Sequence, residues 1–161
     1  MAALVRRRDR LRSARGAALV EFALVLPLLL VMIGGIVDFA FLFQRYEVVT
    51  GAAREGARIA ALPGYGCVSG QVEIRARQFL MAGLHMTAGQ LLGVVPAGNI
   101  TVTCGTLPAP LTTIHTVRVD VTYQHTFLLL GPVMGLIGSG GWGGSPLNMT
   151  GTSEMRMEMA P

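Results

Sequence analysis

Residues 17–37 make up 21 successive positions that hold a single charge, Glu21, close to their start. At about 1.5 Å per residue a helix of that length covers roughly 30 Å, the thickness of a bilayer's hydrocarbon core. Six arginines (Arg6, Arg7, Arg8, Arg10, Arg12 and Arg15) stand immediately before it. Basic residues beside an apolar run hold that end in the cytoplasm. A secretory signal has a shorter apolar core and a small-residue cleavage site at its far end. Here the run passes through Gly34-Gly35-Ile36-Val37-Asp38 into Phe39-Ala40-Phe41-Leu42-Phe43 with no such site. The segment reads as a retained single-pass anchor, with the rest of the chain on the far side of the membrane.

The charge balance divides at the same place. All 13 basic residues are arginines, and without residues 1–16 seven basic and eight acidic groups remain, a formal charge of −1 against +4 for the whole. The basicity therefore belongs to the leader and its topology, not to a nucleic-acid-binding face. A chain of 161 residues has room for one small domain beside the anchor. The expected organisation is a leader over 1–16, a transmembrane helix with its extension over 17–61, and a small domain over 62–161.

In the extension, small residues recur every fourth position: Ala52, Gly56 and Ala60 on one line, Ala53, Ala57 and Ala61 on the next. Such lines admit close approach by another backbone, either within the chain's own domain or among neighbouring helices. Pro27 removes one helical hydrogen bond and should kink or loosen the span, and Pro63-Gly64 ends the helix. Ser69 is placed as the cap of a second helix, with Val72, Ala76, Phe79, Leu80 and Gly83 inward and Glu73, Arg75 and Arg77 outward. Residues 91–98 read as a loop.

Three alternating stretches follow. Ile100, Val102 and Cys104 share one face; Val117, Val119, Val121 and Tyr123 share another; Met149, Ser153, Met155, Met157 and Met159 share a third. Alternation of this kind marks half-buried antiparallel strands. The fold class is α+β: a long N-terminal transmembrane helix continuing into a small periplasmic or extracellular domain with a second helix and a three-stranded antiparallel sheet. The run Phe127–Ile137, followed by a glycine-rich stretch with Trp142, is too short and broken to span a bilayer. It packs on the core, rests on the bilayer surface or meets a partner subunit; its residues do not choose.

Cys67 and Cys104 both fall after the span, on the oxidising side. A bridge between them would close about 38 residues and add roughly 4 kcal/mol in the chain-entropy view; two free buried thiols are the other reading. Alternation puts Cys104 on the core face. No second Cys pair or clustered His suggests zinc, and no cofactor is expected. His85, His115 and His125 have no ligand spacing, and His115 and Asp120 fall on opposite faces of a strand. P-loop, GxSxG and HExxH patterns are absent, so the chain is expected to be no enzyme and to take no small-molecule substrate.

A lone carboxylate at the mouth of a span is expensive unless compensated. Gly16-Ala17-Ala18-Leu19-Val20-Glu21-Phe22 resembles the prepilin-peptidase site of type IV pilin-like proteins. Cutting after Gly16 would free an amine on Ala17, one helical turn from Glu21. Together with residues 15–30, the Ala52-Ala53-Arg54-Glu55-Gly56-Ala57-Arg58 block, the Cys pair and the strand-rich tail, the chain resembles the TadE-like family. These are minor pilins or pseudopilins of the Flp/Tad tight-adherence pilus apparatus. The resemblance implies trimming by a prepilin peptidase after Gly16, Ala17 as the mature N-terminus, and Glu21 as the assembly carboxylate. It implies residence in a bacterial inner membrane and partners among membrane lipid, the peptidase, Flp/Tad pilins and the inner-membrane assembly platform. The alternative is an uncleaved, membrane-tethered periplasmic domain that binds a partner.

Overall fold

A computed structural model describes residues 2–67, 69–107, 114–137 and 146–157, and for residues 2–15, 69, 107, 134, 136 and 137 the backbone alone. The elements are α1 (Ala2–Ala60), α2 (Ser69–Leu84), α3 (Ala88–Val94), β1 (Ile100–Leu107), β2 (Ile114–His125), α4 (Leu130–Ile137) and β3 (Leu147–Arg156). They make an α+β chain with a long apolar N-terminal helix. The chain divides into two compact units, Met1–Phe39 with Leu128–Gly143, and Ala40–Phe127 with Gly144–Pro161.

The leader, the apolar run and its extension are all one helix of 59 residues, with Pro27 inside it. A single proline costs a hydrogen bond that a helix this long survives. It stops beside Pro63-Gly64, where Gly64 takes a φ of 86° that a side chain would resist.

In the second unit the sheet is antiparallel with order β1-β2-β3. Val117, Val119, Val121 and Tyr123 of the central strand are buried, while Arg118 on the other face is exposed. Val49, Ala52, Ala53, Ala57 and Ala60 of α1 and Val72, Ala76 and Leu80 of α2 complete the core. The small-residue lines are thus occupied within the domain. A Cβ on Gly56 would stand 3.2 Å from Val119 Cγ1 and 3.5 Å from Val72 Cγ1. Gly56 sits where α1, α2 and the sheet converge, and only a residue without a side chain fits that junction comfortably.

Several expectations need correction. Residues 91–94 are helical, not loop, because Thr87 and Gln90 form a capping box: the Thr87 hydroxyl accepts from the Gln90 N–H and the Gln90 amide oxygen accepts from the Thr87 N–H. That reciprocal bond satisfies two end groups and starts α3. Arg77 does not point outward; it donates to the carbonyls of Val95 and Pro96 at 3.1 and 3.3 Å and quenches chain ends that the helix leaves open. Cys104 is exposed, although Ile100 on the same face is buried and Val102 half-buried. β1 is an edge strand, and cover over that face thins along its length. Met159 and the side chain of Ser69 lie outside the described residues, as does the glycine-rich stretch 138–145 with Trp142.

Candidate assembly surface on the long helix

Within the first unit α1 is exposed on every side from Gly16 to Ile33, save for half-buried Leu26. Leu19, Phe22, Leu24, Leu28, Met32 and Ile36 are among the large apolar side chains left open there. A soluble helix hides such residues along one stripe; a helix apolar all round needs lipid or other helices around it. The segment is long and apolar enough to cross a membrane.

Gly16, Ala17 and Glu21 lie on this open part. A Cβ on Gly16 would meet nothing within 4 Å, and Glu21 makes no ion pair among the described residues. The three positions share one end of one helix, with Glu21 one turn beyond Ala17. Among the described residues no other group is brought to them.

The Ala52–Arg58 block has a different role. Its small residues face the core, and its charges stitch α1 to α2. Glu55 accepts from Arg58 at 2.9 Å and from Arg75 of α2 at 3.2 Å. These bonds, Arg58 first, hold the Glu55 carboxyl below its ordinary value of 4.5. A depressed carboxyl stabilises the fold above the unfolded value and loses that contribution as pH falls through the lower folded one. The partners are largely exposed, so the effect is small. Acidification from pH 7 to pH 3 is expected to cost an Arg75→Ala variant about 2 °C less in melting temperature than the parent, read by thermal denaturation in detergent. Equal losses in both would show that Arg75 contributes nothing through Glu55.

One turn before the core begins, Arg45 donates to the Tyr123 hydroxyl and its guanidinium carbon lies 5.7 Å from the ring centroid. Tyr123 is buried, so Arg45 supplies the partner its hydroxyl needs. Cys67 and Cys104 are bonded, with Cα atoms 5.9 Å apart, inside the range a disulfide tolerates. No group of His, Cys, Asp or Glu able to hold a metal exists among the described residues.

Sequence reading passed over Asp38. It is 2 % exposed, and its carboxylate accepts N–H bonds from Leu128, Leu129 and Leu130 at 3.2, 2.9 and 2.7 Å. The available signal was an isolated acid between Val37 and Phe39, seven residues from the nearest basic residue, Arg45. Its partners, some 90 residues away, carried none.

No curated protein and no solved structure matches this chain. One family model does: that of the TadE-like proteins, over residues 16–58. The match begins at the exposed Gly16 and ends beside the Glu55 junction, so it covers both the open apolar surface and the part of α1 built into the domain. Over that stretch the chain is similar to the TadE-like proteins, a family associated with the Tad pilus.

Proposed function

We propose that this protein is a membrane-anchored pseudopilin that takes part in Flp/Tad pilus biogenesis and so in surface adhesion. The observation that carries the reading is the TadE-like match falling on a helix whose stretch from Gly16 to Ile33 is open and, apart from Glu21, apolar all round. In this reading the arginine-rich leader stays in the cytoplasm, α1 crosses the inner membrane and the sheet-bearing unit is periplasmic or extracellular. The prepilin peptidase cuts after Gly16. The amine released on Ala17 and the Glu21 carboxylate then form a compensated pair, within one subunit or between neighbours, which makes the acid tolerable in lipid. The pilins and the inner-membrane platform are the protein partners, and the chain is handled by enzymes without being one.

Mass spectrometry of the purified protein from a host with the peptidase tests the processing step: a chain starting at Ala17 supports it, and an intact leader overturns it. Glu21→Ala is expected to abolish pilus assembly, at least tenfold fewer pili by electron microscopy, while membrane fractionation stays unchanged. Gly16→Leu is expected to leave the leader in place. Normal piliation with Glu21→Ala would remove the carboxylate from the mechanism.

The second reading, an uncleaved tether for a periplasmic partner-binding domain, has one observation in its favour. α1 is helical from Ala2 through Gly16, and a peptide bond within a helix must first open locally before a peptidase can take it.

A further inference from the structure

Asp38 is a buried acid with no basic partner among the described residues, where backbone N–H groups satisfy it. Leu128, Leu129 and Leu130 present N–H groups that the first turn of α4 leaves open, and the positive end of that helix faces the carboxylate. One turn earlier, a Cβ on Gly34 would lie 3.4 Å from Leu129 Cβ, and one on Gly35 would lie 3.9 Å from both Leu130 methyls. Gly34, Gly35 and Asp38 together form a seat for the start of α4.

The level of that seat is informative. Asp38 comes 21 residues after Ala17, about 31 Å along the helix, at the far edge of a hydrocarbon layer roughly 30 Å thick. What is seated there has no charge: no Asp, Glu, Lys or Arg occurs between Asp120 and Glu154. Leu128 and Leu129, the two residues that lead into α4, are 70 % and 45 % exposed, and Ile36 and Val37, on the α1 turn that carries the seat, are open too. The apolar surface of the long helix thus continues onto these two leucines, with Leu129 lying against Gly34. At eight residues, about 12 Å, α4 cannot cross a bilayer.

We propose that the leucine pair at the start of α4 is a second, non-spanning membrane contact, lying among lipid at the bilayer edge distal to the arginine leader, with its depth set by Asp38. The occupant of its open face is lipid, because that face extends one that already needs lipid around it. The inference rests on the reading of α1 as a membrane span.

The test uses the full chain, disulfide intact, in vesicles of phosphatidylcholine and phosphatidylglycerol, with nitroxides on Leu24→Cys, Leu92→Cys or Leu128→Cys. Collisions with oxygen report lipid, and collisions with a water-soluble nickel chelate report solvent. The Leu128 label is expected to behave as the Leu24 label in the span does, at least fivefold less accessible to nickel than the Leu92 label on α3. In Asp38→Ala, and to a lesser degree in Asp38→Asn, the Leu128 label is expected to move toward water while the Leu24 label stays shielded. A Leu128 label open to nickel while Leu24 is shielded overturns the α4 contact and leaves the anchor standing. If Leu24 is open as well, the anchor fails and the proposal with it. Shielding from both reagents, with spin–spin broadening between copies, would assign the face to a second copy and reject lipid. A Leu128 label that stays in lipid in both Asp38 variants would refute the tether.

Discussion

Gly151→Val is expected to lower the melting temperature of the sheet-bearing unit by roughly 15 °C. Gly151 is buried on β3 opposite Val121, at the point where α1 crosses the sheet. A Cβ there would stand 2.9 Å from the Thr50 Cα, from the Thr50 nitrogen and from the Val49 carbonyl carbon. All three are backbone atoms of a continuous helix, so no side chain can rotate aside. The helix must lift off the sheet or β3 must bend. Overpacking of this kind costs about 3 kcal/mol, and each kcal/mol is worth about 5 °C in a domain of this size. The measurement is thermal unfolding in detergent, followed by proteolysis at the exposed Pro63–Tyr65 turn. Gly93→Ala is the control. It lies on the exposed side of α3, a Cβ there meets nothing within 4 Å, and alanine should raise stability by about 0.5–1 kcal/mol. An unchanged melting temperature for Gly151→Val would mean that α1 does not rest on β3.

Removing the cysteine pair should have an effect of similar size. The bond between Cys67 and Cys104 spans 37 residues, and opening such a loop releases about 4 kcal/mol of denatured-state entropy in the chain-entropy treatment. It ties the α1–α2 connection to β1, an edge strand that pairs with β2 alone among the described residues. The double variant Cys67→Ser/Cys104→Ser is expected to unfold at a much lower urea concentration than the parent. Reduction of the parent should reproduce that loss, since Cys104 is open to reductant. Non-reducing gels after thiol blocking give an independent reading. A parent chain that takes up two equivalents of blocking reagent without reduction would show two free thiols instead of a bridge.

Where the pattern in the sequence repeats at short range, it was legible. The alternation Val117, Val119, Val121, Tyr123 marked the central strand, because a pleated strand facing a core demands that period. The spacing Val72, Ala76, Leu80 marked the buried side of α2 for the corresponding helical reason, although Phe79, read onto the same side, is 41 % exposed. The capping box at Thr87 and Gln90 was equally local and equally present, yet two glycines in the following seven residues of α3 hid it behind a loop-like composition. Cys104 shows the limit of alternation: it assigns a face but not how far the opposing layer extends over it.

By its own order of residues the chain determined a bilayer-length apolar helix behind a basic leader, a Gly-Ala…Glu-Phe entry to it, and strands enough for one small sheet. These follow from backbone periodicity and the cost of exposing apolar surface, which act on neighbours in sequence. Only the folded chain decided that Ala52, Gly56 and Ala60 pack under their own sheet, that Gly151 lies against the α1 backbone, and that Asp38 holds the start of α4. Such choices join residues up to 102 positions apart. They depend on which buried donors and acceptors find one another once layers have formed, and no local pattern records that.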